Sequence, residues 1–203
     1  MAKSNKQWLR RHVTDHYVRK AREQGYRSRA AYKLLELDER EKLLRPGALV
    51  IDLGAAPGSW SQVAAGRVKP GGKVIAVDLL EIAPISGVTV LQGDFRDVKL
   101  LEALQGRKAD VILSDVLPNL TGIPAVDQAR AAELTYAALD LCRKALKGDG
   151  VFVLKTFQGE AFDEVLQCLK RDFGKVNVRK PEASRGESRE TYVVARNQRK
   201  MSS

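Results

Sequence analysis

Lys155 ends an apolar run, and its position raises a chemical question. The run Val151-Phe152-Val153-Leu154 has the continuous apolar character of a strand covered on both faces, and Lys155 follows it directly. Strand interiors are poor in lysine, and lysine is rarely buried without a partner. Burial and nearby cations lower lysine pKa values, and a neutral amine can take a proton from a hydroxyl nucleophile, worth roughly 10²–10⁴ in rate. Asp115 ends a second apolar run, and Glu190 opens the last one. Lys33 lies on the first strongly periodic helix and could supply the neighbouring cation. Any one of these four residues alone would read as half of a structural ion pair. Together they read as two amines oriented by two carboxylates.

A second group suits a small ligand. "DLGAAPGSW" places Gly54 and Gly58 in a turn between a strand and a helix, where backbone can approach a bound molecule. The spacing is G-x-x-x-G, which is neither the dinucleotide fingerprint G-x-G-x-x-G nor a P-loop. Asp78 ends the next strand and can accept hydrogen bonds from ribose hydroxyls. Asp94 and Phe95 follow the third strand and can offer an adenine ring one polar and one apolar contact. No phosphate-binding cation accompanies the glycine loop, which favours S-adenosylmethionine over a dinucleotide. "SDVLPN" is similar to the [DN]PPY loop of methylases that act on planar amino nitrogens. Val116 and Leu117 stand where that loop needs other residues, and no aromatic follows Pro118, so a nitrogen acceptor is disfavoured.

The elements that must carry these residues alternate. Ser28 is expected to cap a helix that runs past Leu43 and stops at Arg45-Pro46-Gly47. "ALVIDLG", "KVIAVDL", "VTVLQGD", "ADVILSD" and "VFVLKTF" read as five strands, and helices are expected at "SWSQVAAGRV", "VKLLEALQG", 125–146 and "EAFDEVLQCLKRDF". "KVNVRKP" and "ETYVVAR" are two final strands whose short polar loop requires antiparallel pairing. The expectation is an α/β fold with a mostly parallel seven-stranded sheet, an antiparallel edge strand and helices on both faces. In such sheets ligands bind beyond the carboxyl ends of the strands, where the residues above collect.

Charge is concentrated at the ends. The chain of 203 residues carries a net charge of +10. Residues 1–33 hold 10 Lys/Arg against 2 Asp/Glu, residues 179–203 hold 7 against 3, and residues 34–178 hold 18 against 20. Trp8, Tyr17, Tyr26 and Tyr32 are interleaved with the N-terminal cations, the composition expected for a phosphate backbone with some base stacking. No long apolar run or apolar leader is present, so the expectation is a cytoplasmic protein without membrane contact. Cys142 and Cys168 form no C-x-x-C pair and are read as reduced. His12 and His16 have no third metal ligand beside them, so no metal is expected.

"DLGAAPGSWSQ", "LQGDFRD", "SDVLPN", "KTFQGEAFDE" and "VRKPEASR" followed by "SRETYVVA" occur in order. With them the chain resembles the FtsJ/RrmJ-type heat-shock methyltransferases along about residues 8–198. The resemblance implies 2′-O-methylation of a uridine in 23S rRNA, in the A-loop of the large ribosomal subunit, by a monomer using S-adenosylmethionine. It implies a tetrad of Lys33, Asp115, Lys155 and Glu190, with Lys155 as proton acceptor, and cofactor contacts from Gly58, Trp60, Asp78, Asp94 and Asp115. Departures from the family pattern fall at Ser59, Glu81, Val116 and Leu117. The implied organisation is a basic arm (1–27), a methyltransferase domain (28–198) and a short tail (199–203). One alternative is an RNA-binding factor without turnover, against which the complete tetrad argues; another is a methyltransferase for an mRNA cap, a tRNA ribose or a protein, and the whole-chain likeness favours rRNA over these.

Overall fold

The structure, a computed structural model, describes residues 15–96, 99–118, 121–184 and 188–199. Seven strands form one sheet: β1 (Leu49–Leu53), β2 (Lys73–Asp78), β3 (Val88–Gln92), β4 (Ala109–Ser114), β5 (Leu146–Phe157), β6 (Phe173–Arg179) and β7 (Glu190–Gln198), in the order β3-β2-β1-β4-β5-β7-β6. β1 and β4 are buried at every residue because helices cover both faces, which is why their sequences are apolar runs without alternation.

β1 pairs in parallel with both β2 and β4, so the strand order reverses between β1 and β4. That reversal opens a crevice beyond their carboxyl ends. β6 and β7 pair antiparallel, as their short connection requires. The antiparallel strand is not at the edge, however. β7 lies between β5 and β6 and is antiparallel to both, so the outermost strand β6 runs with the body of the sheet. Burial explains the order: residues 190–195 of β7 are all buried, whereas most of β6 is exposed or half-buried. The apolar strand takes the inner place.

Helices α2 (Ala30–Glu41) and α3 (Ser59–Arg67) pack on one face, where Leu34, Leu37, Trp60, Val63 and Tyr192 share a core. Helices α4 (Lys99–Ala103), α5 (Pro124–Ala145) and α6 (Glu160–Asp172) cover the other, around Ile51, Ile112, Leu139, Phe152 and Leu169. Burying each such side chain contributes about 1.5–3 kcal/mol before conformational entropy is counted. Helix α1 (His16–Glu23) begins at Asp15, whose carboxylate accepts from the Tyr17 amide. Tyr17 and Ala21 pack with Tyr32 and Ala183.

Two helix ends differ from expectation. α2 stops at Glu41 because Asp38 accepts from the amides of Leu43 and Leu44, at 3.0 and 2.8 Å, while Lys42 takes a left-handed conformation. Its first residue follows Arg29, and the Ser28 hydroxyl still accepts from the Ala30 amide. α5 starts at Pro124, where proline lacks only an amide that no helix turn needs. Residues 1–14, Asn119 and 200–203, to which parts of the sequence reading apply, lie outside the described residues.

Candidate active site

Register brings the central pair together. β4 and β5 align Ser114 with Leu154, so the next residues, Asp115 and Lys155, are neighbours at adjacent strand tips. Lys155 Nζ donates to Asp115 Oδ1 at 2.9 Å and to the Asp115 carbonyl at 3.0 Å. The lysine side chain is 3% exposed, so the pair is shielded from solvent and salt. β5 and β7 align Lys155 with Tyr192, and Glu190 lies two residues earlier on the same face. The Tyr192 hydroxyl lies 3.0 Å from Asp115 Oδ1 and 3.1 Å from Glu190 Oε1. From α2, Lys33 Nζ donates to Glu190 Oε1 at 2.6 Å, and the Ser184 hydroxyl donates to the same oxygen at 3.0 Å. All four residues of the expected tetrad therefore form one continuous polar chain.

The electrostatics fit that chain. Burial pushes the Glu190 carboxyl up, but the charges of Lys33 and Lys155 and the hydrogen bonds from Lys33 and Ser184 hold it below its ordinary value. Burial drives the Tyr192 phenol well above its ordinary value, and the carboxylates of Asp115 and Glu190 add to the effect. Tyr192 therefore stays protonated and can donate. Sequence reading passed over it as one more aromatic in a strand, although its place two residues after Glu190 fixes it on the same face.

The glycine loop stands beside Asp115. Gly54, Pro57, Ser59, Trp60 and Asp115 line a narrow cleft together with Ala30. Gly54 has φ +71°, and a Cβ there would lie 2.8 Å from Val116 Cα, so the loop packs directly on the strand that presents Asp115. At Gly58, with φ +105°, a Cβ would meet Ile85 at 2.6 Å. Arg27 straps this loop from outside: its guanidinium donates to the carbonyls of Pro57, Ala83 and Pro84 at 2.8–2.9 Å. The indole of Trp60 donates to the Ala30 carbonyl at 2.8 Å, which ties α3 to the start of the helix carrying Lys33. Ser59 is partnered by Ser28 at 2.6 Å.

Asp78 accepts from the amides of Ala56 and Leu80, at 2.9 and 2.8 Å, and so holds the glycine loop and its own loop together. Leu79 and Leu80 beside it are exposed. Asp94 is bound by Arg96, whose Nε lies 2.9 and 3.0 Å from its two oxygens, and that hydrogen bonding outweighs burial to hold the carboxyl low. Phe95 is 7% exposed and belongs to the core that includes Leu100 and Leu104. The structure thus gathers Gly54, Gly58, Asp78 and Asp115 around one loop. Trp60 is wall, Phe95 is core, and Asp94 faces Arg96.

Sequence reading also missed Asp52. It is a carboxyl inside the apolar run of β1, fully buried, with Oδ2 accepting from the Ser61 hydroxyl at 2.6 Å and Oδ1 without a hydrogen-bond partner among the described residues. Burial raises its pKa to about 7; the Ser61 bond opposes this, and the charges of Asp115 and Asp78 add to it. A charged residue interrupting "ALVIDLG" was the available signal. Asp78 and Asp115 flank the loop, carboxylates suited to a cationic ligand with hydroxyl groups, while Asp52 lies buried behind it. Among the described residues, no group of three or more side chains is arranged to hold a metal ion.

Known proteins are similar to this chain along most of its length. The model of the FtsJ-like methyltransferase family matches residues 26–198. Ribosomal RNA large subunit methyltransferase E of Chromohalobacter salexigens is 52% identical over 198 residues, covering 96% of this chain and 94% of that protein. The protein of the same name from Nitrosospira multiformis is 49% identical, covering 95% of each chain. A crystal structure of a Plasmodium falciparum ribosomal RNA methyltransferase superposes with a TM-score of 0.77 at 34% identity, over 85% of this chain and 98% of that one. Aeropyrum pernix fibrillarin, solved with S-adenosyl-L-methionine, shares the fold at a TM-score of 0.58 and 16% identity, over 82% and 73% of the two chains. With its polar chain at the strand tips and a family match spanning nearly the whole sheet, this protein belongs to the FtsJ-like methyltransferase family.

Proposed function

We propose that this methyltransferase methylates the ribose 2′-hydroxyl of a uridine in the A-loop of 23S rRNA, within the large ribosomal subunit, from S-adenosylmethionine. The observation that carries the reading is the Lys155–Asp115 pair at 2.9 Å, with the glycine loop on one side and Tyr192, Glu190 and Lys33 on the other. The residues present fit the cofactor. The backbone of Gly54–Gly58 would take its methionine end, Asp78 its ribose hydroxyls, and Asp115 its positive charge. When bound, it supplies a methyl group already activated by a sulfonium.

The protein's part is alignment and proton removal. Lys155 Nζ accepts the proton of the attacking 2′-hydroxyl, and Asp115 fixes the amine through two hydrogen bonds. The Tyr192 hydroxyl lies between the two carboxylates, 3.0 Å from Asp115 and 3.1 Å from Glu190, and its one proton bridges them by donating to either. Lys33 neutralises Glu190, so the carboxylate does not repel an arriving RNA strand. Holding the hydroxyl in line with the methyl supplies a further part of the rate. The basic ends of the chain grip the phosphate backbone. One chain suffices, and the reaction belongs in the cytoplasm, where bacterial large subunits mature.

The test uses labelled S-adenosylmethionine with undermethylated large subunits, free rRNA and tRNA. Label should enter large-subunit RNA at one alkali-resistant uridine. Label in tRNA alone, or alkali-labile label, would refute the assignment.

A further inference from the structure

A cavity separate from the glycine-loop cleft lies at the same end of the sheet. It has a volume of about 400 Å³ and lies where the N-terminal parts of α5 and α6 diverge beneath the tips of β4 and β5. Lys155 and Glu190 border it, whereas Asp115 borders the glycine-loop cleft. Side chains alternate along β5, so Lys155 turns to α2 and the next residue, Thr156, turns to the cavity. The cavity therefore opens at the same strand tips as the tetrad, on the opposite face of the sheet.

Its chemistry is mixed in a particular way. The walls are apolar, from Ala131, Phe162 and Val165. Leu117 and Phe157 also border it and are exposed, at 49% and 39%. Gln128 and Gln158 add amides and Asp127, Thr135 and Thr156 add further polar groups, and a Cβ at Gly159 would lie 3.9 Å from Gln128 Nε2, so the residues before α6 approach the first turns of α5 there. Flat apolar walls with a few amides suit a heteroaromatic ring, which needs faces to stack on and partners along one edge. The volume falls within the usual range for small-ligand sites.

We propose that this cavity receives an unstacked nucleobase of the acceptor RNA. The inference rests on the reading of a ribose acceptor given above. A 2′-hydroxyl held at Lys155 leaves its base within a few ångströms, and the donor side is occupied by the glycine loop. The strand tips of β4 and β5 then lead the base over Thr156 into the cavity. Drawing a nucleotide out of its stack costs a few kcal/mol, and a pocket for the freed base offsets that cost. The basic composition of both ends of the chain matches a polyanionic partner.

Two measurements test the cavity. In the first, Phe157→Trp protein reports on the border of the cavity through indole fluorescence, corrected with wild-type protein. It is titrated with a short oligouridylate and with the same oligonucleotide carrying abasic riboses. The base-bearing strand should change the indole signal at a concentration roughly 30-fold below that of the abasic strand, the scale of one base–aromatic stack. Equal responses, or a change with protein concentration alone that points to a second copy, would overturn the proposal. In the second, Ala131→Phe fills the cavity away from the tetrad. It should bind S-adenosylmethionine within about twofold of wild type while kcat/KM on large subunits falls roughly 30-fold or more. Wild-type turnover by this folded variant would likewise overturn it. If wild-type protein failed to methylate large subunits, the functional reading would fall, and the indole titration would still decide the cavity.

Discussion

On the glycine-loop side of the Lys155–Asp115 pair, the walls are backbone held by short-range constraints. Gly54 touches Val116 Cα, Asp78 clamps two loops by their amides, and Arg27 straps three carbonyls. On the α5–α6 side the walls are side chains around a cavity of about 400 Å³, with Leu117 and Phe157 exposed beside it. A small ligand of constant shape suits the first kind of wall, which loses little freedom when it binds. A nucleotide drawn from folded RNA needs the second, which can admit a bulky group. The ion pair stands between the two, and substitutions that act on one side only will show whether the division holds.

The largest effect is expected at Asp115, which borders the glycine-loop cleft and holds Lys155. Asp115→Ala leaves Lys155 without its carboxylate partner in a nearly closed site. Breaking such a pair costs about 3 kcal/mol or more. Stability by denaturant titration should fall by that order, and methyl transfer should drop below detection while cofactor affinity falls as well. A variant that lost transfer alone would confine Asp115 to the acceptor side.

Asp52 acts on the glycine-loop side alone. Its folded pKa of about 7 lies above the unfolded value of 3.8, so the native state keeps a proton that the unfolded chain loses. Native stability attributable to this group is therefore full below about pH 4 and is lost as pH rises toward 7. The limit is on the order of 4 kcal/mol, three units at 1.36 kcal/mol each. In Asp52→Asn that loss should vanish, so the variant gains on wild type between pH 5 and pH 8 in thermal or denaturant unfolding. An unchanged pH dependence would show that Asp52 is ionised throughout.

The smallest effect concerns RNA affinity at a distance from the chemistry. Residues 1–14 carry four Lys/Arg and no Asp/Glu. Removing them should flatten the dependence of log K on log salt by up to about 3 units in filter binding, leaving turnover at saturation unchanged. An unchanged slope would mean that this segment contacts no phosphate.

The alternation of apolar runs and amphipathic segments sufficed for the α/β class, the strand count and the end of each strand at which ligands gather. The inner position of β7 was also within reach. "TYVVA" is continuous and apolar, while "KVNVRK" alternates as an edge strand does, but a short connection specifies only that the two pair. Asp115, Lys155 and Glu190 were legible because they end or open apolar runs, whereas Lys33, inside a helix, was singled out with the help of the family resemblance. Their mutual distances were not, since these depend on register between strands far apart in the chain. Charge was the least legible feature. Arg27 and Arg29 count toward a basic arm in composition, yet Arg27 holds the glycine loop and Arg29 donates to Asp15 and the Ala183 carbonyl. Composition gives the number of cations and says nothing of which ones the fold itself engages.

Lys155→Ala offers the most direct test of the division between donor and acceptor sides. Calorimetry should return a cofactor Kd within about twofold of wild type, because the lysine is not part of the glycine-loop cleft. Single-turnover transfer to unmodified large subunits should fall by roughly 10²–10⁴. Transfer at a near-normal rate would contradict the assignment of Lys155 as proton acceptor.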